Sequence, residues 1–329
     1  MHQIDNTGKG EIVSSRREEE FGVENATAKV SCFARAFHYN NNAVHIFADE
    51  AAEQLLGAEY EQISQSMVQG IDFFLQGFQG SEEKGLRLIV DHQLSPSVLG
   101  RSAYCEKMLG NEVKLGCSQY VVFAAGYDTF AIRNPDTQLT VFELDLPEMS
   151  CDKKRRIEAA GLRSGAVFVP CDLSNASWAD VLINKGFQRH MKSFGSLLGI
   201  SYYLSGSEFR NLLKAYGDLV CEGSAICFDY PLEEGGLETR TNRTLAQGAG
   251  EQMKAQYAEK ELEELLAECG FLVYEHLNYE EMTEQFFVEY NRNCPEHKME
   301  APKGVGYVLA VRKAGYGEQI ADGKGQRNA

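Results

Sequence analysis

The segment from Tyr120 to Pro147 constrains this chain more than any other. It opens with Tyr120-Val121-Val122-Phe123, breaks at Ala124-Ala125-Gly126-Tyr127-Asp128-Thr129, and closes with Val141-Phe142-Glu143-Leu144-Asp145-Leu146-Pro147. Short apolar runs bounded by turn or acidic residues predict parallel strands buried on both faces. The small residues of the first turn let backbone approach a ligand closely. The acidic pair stands about twenty positions further on, the separation at which a carboxylate grips ribose hydroxyls in a nucleotide crevice. Together they predict a nucleoside-bearing cofactor; the alternative is an ordinary strand-turn-helix of an unrelated α/β domain.

The turn discriminates between cofactors. A dinucleotide site uses G-x-G-x-x-G so that a pyrophosphate rests on a helix N-terminus. Of those glycines the six residues Ala124 to Thr129 keep only Gly126, and the anionic Asp128 would repel a pyrophosphate. S-adenosylmethionine carries no phosphate, and its zwitterionic methionine end tolerates a carboxylate nearby. On this segment a methyltransferase is favoured over an NAD-dependent oxidoreductase on a related fold.

Composition removes other classes. With 32 Lys+Arg against 48 Asp+Glu the net charge is −16, which opposes binding to a phosphate backbone, so nucleic acid is not an expected partner. No apolar run approaches the roughly 18 residues of a membrane span, and Met1 to Glu20 has no signal-peptide core, so neither membrane nor export is expected. Nine scattered cysteines without a C-x-x-C pair suit reduced thiols and a cytoplasmic setting. Seven dispersed histidines give no metal motif, and no metal is expected.

At 329 residues the chain can bury one large α/β core with additions. Residues 1–24 read as a mobile lead-in, 25–313 as a single domain, and 314–329 as a disordered tail. Within the domain, 25–100 form a helical cap, in which Val30, Phe33 and Phe37 share one helix face and a second helix spans Ala48 to Leu56. Glu106 to Leu115 is a helix entering the first strand. The basic run Lys153-Lys154-Arg155-Arg156 lies on a helix closing near Gly161. Ser205 and Glu208 form a capping box ahead of a helix whose Phe209, Leu212, Leu213, Tyr216 and Val220 share a face. Residues 233–257 read as an insertion with one helix. Strands near 120, 140, 167, 195, 225, 272 and 306, alternating with helices, predict an α/β, Rossmann-like, seven-stranded and mostly parallel sheet, its last two strands forming an antiparallel edge.

These residues resemble the leucine carboxyl methyltransferase family, which includes bacterial polyketide O-methyltransferases. The family's first motif, apolar-G-A-G-apolar-D-T-x-x-x-R, is matched from Phe123 to Arg133, with Ala124 where glycine is usual. Its F-E-[VI]-D-x-P stands as Phe142 to Pro147, followed by the basic helix and by Asp172-Leu173. Upstream, Thr27-Ala28 with Arg35-Ala36 is similar to the family's T-A…R-A helix, and Arg101-Ser102 to its R-[TS]. One departure falls at Leu198 in Leu198-Gly199-Ile200-Ser201-Tyr202-Tyr203-Leu204, where the family commonly has a glutamate that helps hold the cofactor.

The resemblance implies an S-adenosylmethionine-dependent O-methyltransferase acting on a small-molecule carboxyl or hydroxyl group. It implies that Arg101, with Lys29 as a second cation, meets the methionine carboxylate, and that Ala124 and Gly126 shape the turn against the methionine chain. Glu143 and Asp145, two apart at a strand end, would reach the ribose, and Asp172 with Leu173 would bracket the adenine. For each, an ordinary surface charge, salt bridge or turn residue is the competing reading. Tyr202, Tyr203 and Tyr230 are candidates for the acceptor pocket, or simply pack. Candidate bases, needed only for a hydroxyl acceptor, are His38, Asp229 and His276. Leu198 and Ala124 also leave open a non-catalytic cofactor-binding relative.

Overall fold

A computed structural model describes residues 26–175, 177–232 and 254–315. The expected lead-in, most of the expected insertion and nearly all of the expected tail lie outside these residues. The described chain runs through helices α1 (Ala26–Asn40), α2 (Ala52–Leu56), α3 (Glu59–Gln69), α4 (Ile71–Phe74), α5 (Glu82–Ile89) and α6 (Ser95–Lys114). It continues through β1 (Gln119–Phe123), α7 (Phe130–Arg133), β2 (Thr140–Asp145), α8 (Pro147–Ala159), β3 (Val167–Pro170), α9 (Trp178–Asn184) and β4 (Ser193–Leu197). The remainder is α10 (Gly206–Leu219), β5 (Ala225–Pro231), α11 (Glu259–Glu268), β6 (Phe271–Leu277), α12 (Tyr279–Met282), α13 (Val288–Asn293) and β7 (Val305–Arg312).

The seven strands form one sheet in the order β3-β2-β1-β4-β5-β7-β6. β1 to β5 are parallel, and β7 runs antiparallel to both β5 and β6. The predicted mostly parallel α/β sheet is therefore the one observed. Its antiparallel pair differs in one respect: β7 lies inside the sheet and only β6 forms the edge. The inner strands β1, β4, β5 and β7 are buried along nearly their whole length and largely apolar because both faces are covered, whereas the edge strand β6 is partly exposed. Along β1, Tyr120 and Val122 enter the core on one side, and Val121 and Phe123 enter the core on the other. Phe123 meets Trp178 and Tyr216 edge-on at 5.3 and 5.4 Å, the preferred aromatic geometry.

The capping box predicted at Ser205 and Glu208 is present, and Phe209, Leu212, Leu213 and Tyr216 are buried along α10. Two helix boundaries differ from expectation. α2 begins at Ala52 and not at Ala48, because the preceding loop turns to bury Asp49. α6 begins at Ser95 and not at Glu106; Pro96 in its first turn, where a missing N–H costs nothing, is the sequence signal for that start. Arg101 consequently projects from the body of a twenty-residue helix.

The N-terminal helices pack over the carboxyl end of the sheet through a third apolar cluster, in which Phe33, Ala36 and Phe37 meet Tyr127, Ile132 and Met149. His38 closes this layer as a buried neutral imidazole. Its Nε2 accepts from the Ile46 N–H at 3.0 Å, and its pKa is lowered from 6.5 to about 3, chiefly by burial. It is a structural residue, not the expected base. Because the folded pKa lies below the unfolded one, the stability it contributes is present above pH 6.5 and is lost as pH falls towards 3. We expect about 2 kcal/mol of this loss between pH 7 and pH 5. His38→Gln should flatten that part of the stability–pH curve, read from urea midpoints.

Candidate functional site

A cavity of about 450 Å³ opens where the strand order reverses, at the carboxyl ends of β1, β2 and β4. This is the crevice in which open α/β sheets bind ligands, and the volume suits a nucleoside-sized molecule. Its floor is the turn from Ala124 to Asp128. One wall is the end of β2, with Asp145, Leu146 and Met149; the opposite wall is the exit of β4, Leu198 to Ile200, with Tyr203 and Lys254. α1 supplies Thr27, Ala28, Ser31 and Arg35, and α6 supplies Arg101 and Ser102.

The turn is held in an unusual backbone. Gly126 has φ 50°, and a Cβ on it would press to 3.3 Å from the Ala28 methyl. Ala124 has φ 47°, the only described non-glycine residue with positive φ. An L-residue there costs roughly 1–2 kcal/mol. Asp145 locks the turn: its Oδ2 accepts from the Gly126 N–H at 2.6 Å, and its Oδ1 accepts from the Leu146 N–H at 2.8 Å. Burial raises the Asp145 pKa, and these two backbone hydrogen bonds offset only part of the rise. A carboxylate has about four lone-pair sites, so two remain for hydroxyl donors in the cavity.

Of the residues singled out in the sequence, Arg101, Ala124, Gly126, Asp145 and Tyr203 line this cavity together. Lys29, Glu143, Asp172, Leu173, Tyr202, Tyr230 and the candidate bases His38, Asp229 and His276 are not among its lining residues. Lys29 points to α3, where its Nζ lies 3.1 Å from Glu59. Glu143 is buried behind the sheet end, 2.6 Å from the equally buried Lys153, so i, i+2 spacing does not bring both carboxylates into the crevice. Burial raises the Glu143 pKa, with Lys153 opposing. Asp172 uses its Oδ1 to cap its own turn, accepting from the Ser174 N–H and hydroxyl at 2.9 and 2.7 Å. Leu173 packs on the core against the neighbouring helices. Tyr202 is buried and donates to Asp229 at 3.0 Å, and Tyr230 is buried against His276 at 2.9 Å. His276 also faces Glu259 at 3.1 Å, away from the crevice. Asp229 is fully buried and accepts from the Gly199 N–H and the Tyr202 hydroxyl, which leaves it no role as a base.

Sequence reasoning missed Ser31, Ser196, Met149 and Lys254, which carry no periodic signal, and named Ser102 only as part of the R-[TS] pair. It also gave Arg35 no role. Arg35 donates to Asp49 at 2.7 Å and to the Tyr127 carbonyl at 2.7 Å, pinning α1 to the turn. Its signal was the T-A…R-A pattern itself. Asp128 caps the following turn by accepting from the Phe130 N–H at 2.9 Å. That turn leads into α7, which is only four residues long. A pyrophosphate would meet an anionic side chain and no extended helix N-terminus, which opposes a dinucleotide.

A doubly wound sheet with a phosphate-free nucleoside crevice at its switch point defines the class of this protein. Residues 28–217 match the model of the leucine carboxyl methyltransferase family, and the chain belongs to that family. It is 37% identical over 302 residues to YktD of Bacillus subtilis (strain 168), named a candidate S-adenosyl-L-methionine-dependent methyltransferase; the match covers 87% of this chain and 97% of that one. A similarly named protein of Frankia alni is 30% identical over 153 residues, 45% of this chain and 54% of its own. Among solved structures, a candidate methyltransferase from Thermobifida fusca gives a TM-score of 0.52 at 14% identity, covering 87% of this chain and 94% of that one. A Streptomyces avermitilis DUF574-family protein gives 0.53 at 10% identity, covering 76% and 97%. At such identities these last two likenesses are of fold.

The strained Ala124 yields a direct expectation. Ala124→Gly should stabilise the protein by about 1 kcal/mol, the relief of the left-handed alanine less the greater freedom of glycine when unfolded. A rise in denaturation midpoint at unchanged slope would register it.

Proposed function

We propose that this chain transfers a methyl group from S-adenosylmethionine to an oxygen of a small molecule, with a carboxylate as the favoured acceptor. The coarse part of this reading, an S-adenosylmethionine-dependent methyltransferase, follows from family membership and from the similarity to YktD over nearly the full length of both chains. The finer part rests on the crevice. The observation that carries it is Asp145, clamped by two backbone N–H groups at the end of β2 and facing Arg101 across a cavity of nucleoside size.

When bound, the cofactor supplies a methyl group already activated by its sulfonium. The task left to the protein is to hold donor and acceptor in line and to keep water out. Asp145 has lone pairs for the ribose hydroxyls, and Arg101 presents a guanidinium whose fork suits the methionine carboxylate. Leu146 and Met149, beside Asp145 on the wall, offer the apolar surface for the adenine that Leu173 does not supply. Ala124 and Gly126 keep the floor of the crevice free of side-chain bulk. Leu198 replaces a charge with apolar surface on the opposite wall.

Among the described residues lining the cavity there is no histidine, and the carboxylates present are engaged with backbone N–H groups. A carboxylate acceptor is ionised at neutral pH and needs no base, whereas a hydroxyl would benefit from one. Lys254 at the rim, loosely paired with the half-exposed Glu208 at 3.5 Å, suits an anionic acceptor. The second reading, a relative that binds the cofactor without turnover, is motivated by Leu198 and by the strain at Ala124.

Isothermal titration should give micromolar-range binding of S-adenosylmethionine and S-adenosylhomocysteine. Asp145→Asn and Arg101→Ala should each weaken it about tenfold or more. An absence of heat at high ligand concentration would overturn the reading; binding without methyl transfer to any acid in a metabolite extract would favour the second one. With a carboxylate acceptor, the rate of the chemical step should be level between about pH 6 and pH 9. A unit slope across that range would point to a hydroxyl acceptor.

A further inference from the structure

Arg101 does not stand alone in the crevice. Behind it lies Asp229, a carboxylate with no exposed surface near the end of β5. Its Oδ2 is 3.6 Å from the Arg101 guanidinium and 3.0 Å from the Tyr202 hydroxyl, and its Oδ1 accepts from the Gly199 N–H at 2.6 Å. The Asp229 carbonyl accepts from the Ser201 hydroxyl at 2.6 Å. One buried residue thus ties together α6, the exit of β4 and the short helical turn after it.

Gly199 completes the arrangement. Its φ is 69°, and a Cβ built on it would fall 2.6 Å from the Arg101 guanidinium. The guanidinium therefore lies flat against a backbone with no side chain, with Asp229 fixing that backbone through its N–H. Arg101 is a long, rotamer-rich side chain and gives up much conformational freedom when held. Holding it before the ligand arrives removes that cost from binding. A lone surface arginine could not present its fork in one orientation; one backed by a buried carboxylate and a glycine shelf can.

We infer that Asp229, acting with Gly199, is a positioning residue for Arg101 that sets the affinity for the amino-acid end of the cofactor. It does not touch that ligand and takes no proton in the reaction. The inference rests on the cofactor reading above, and the test separates the two. S-adenosylhomocysteine carries the amino-acid tail, and 5′-methylthioadenosine has the same nucleoside without it. Only the first can feel the orientation of Arg101.

The experiment titrates both compounds into the full chain as wild type, Asp229→Asn and Gly199→Ala. Asparagine keeps the shape and an acceptor for the Gly199 N–H but removes the charge facing Arg101. The alanine methyl displaces the guanidinium without removing the Asp229 carboxylate, at the cost of a left-handed alanine whose effect on the wall methylthioadenosine reports, so it keeps the test open if Asp229→Asn folds poorly. The expected result for both variants is a rise of about tenfold in Kd for S-adenosylhomocysteine with less than about twofold for methylthioadenosine. Equal losses for the two ligands would mean that Asp229 merely supports the wall, and would overturn the inference. Unchanged affinity for S-adenosylhomocysteine in both variants would overturn it too. Failure of the wild type to bind S-adenosylhomocysteine would remove the cofactor reading and this inference with it, whereas wild-type binding with a flat ligand ratio removes only the latter.

Discussion

The buried carboxylate of Asp49 holds the N-terminal helices to the catalytic end of the sheet. It has 1% of its surface exposed and takes Arg35 and the Thr129 hydroxyl at 2.7 Å each, with Arg133 3.6 Å away. Arg133 also pairs with Glu106 on α6, and Arg35 reaches the carbonyl of Tyr127. One carboxylate thereby joins α1, the turn after β1, α7 and, through Arg133, α6. Taking charges out of water costs several kcal/mol per ion, so an ensemble like this is tolerated only when every partner is present. Removing Asp49 would leave the buried Arg35 without its carboxylate and take away the polar tie that acts beside the apolar cluster in holding the cap to the sheet. The crevice draws on both sides of that tie: its floor follows β1, and α1 and α6 line it from the cap.

This network gives a physical meaning to the D-T-x-x-x-R end of the family motif. Asp128 caps the turn, and Thr129 and Arg133 both face Asp49. Half of the motif thus serves attachment of the cap, while Phe123 to Asp128 border the ligand space. A motif recognised as a unit can divide its labour in this way without any trace in the letters.

Much of the fold was legible because strands buried on both faces leave near-continuous apolar runs, and because Ser205 and Glu208 mark a helix start that local hydrogen bonding enforces. The order of strands was read less fully: the near-continuous apolar run of β7, against Tyr274, Glu275 and His276 in β6, is the signal that β7 takes the interior. In the site, Arg101, Ala124, Gly126 and Asp145 were legible through motif positions and reach the crevice. Glu143 was misplaced because two residues of equal charge on one strand face can still diverge, one meeting Lys153 and the other the Gly126 N–H. Lys29 and Asp172 went astray for a similar reason, since each satisfied its charge or lone pairs with a nearer partner, Glu59 and Ser174. Long-range pairings such as Arg35 with Asp49, or Asp229 with Gly199, are invisible to a reading that sees only spacing.

The sheet order carries a consequence for how the protein is made. β5 lies between β4 and β7, and Asp229 faces Tyr307 across the β5–β7 ladder. A ribosome delivers β1 to β5 well before residue 305, so during synthesis β5 waits with a bare flank. Pairings between such distant parts of a chain form late and slowly. β5 therefore gains its second neighbour, and Asp229 its cross-strand partner Tyr307, only once the last strand has been made.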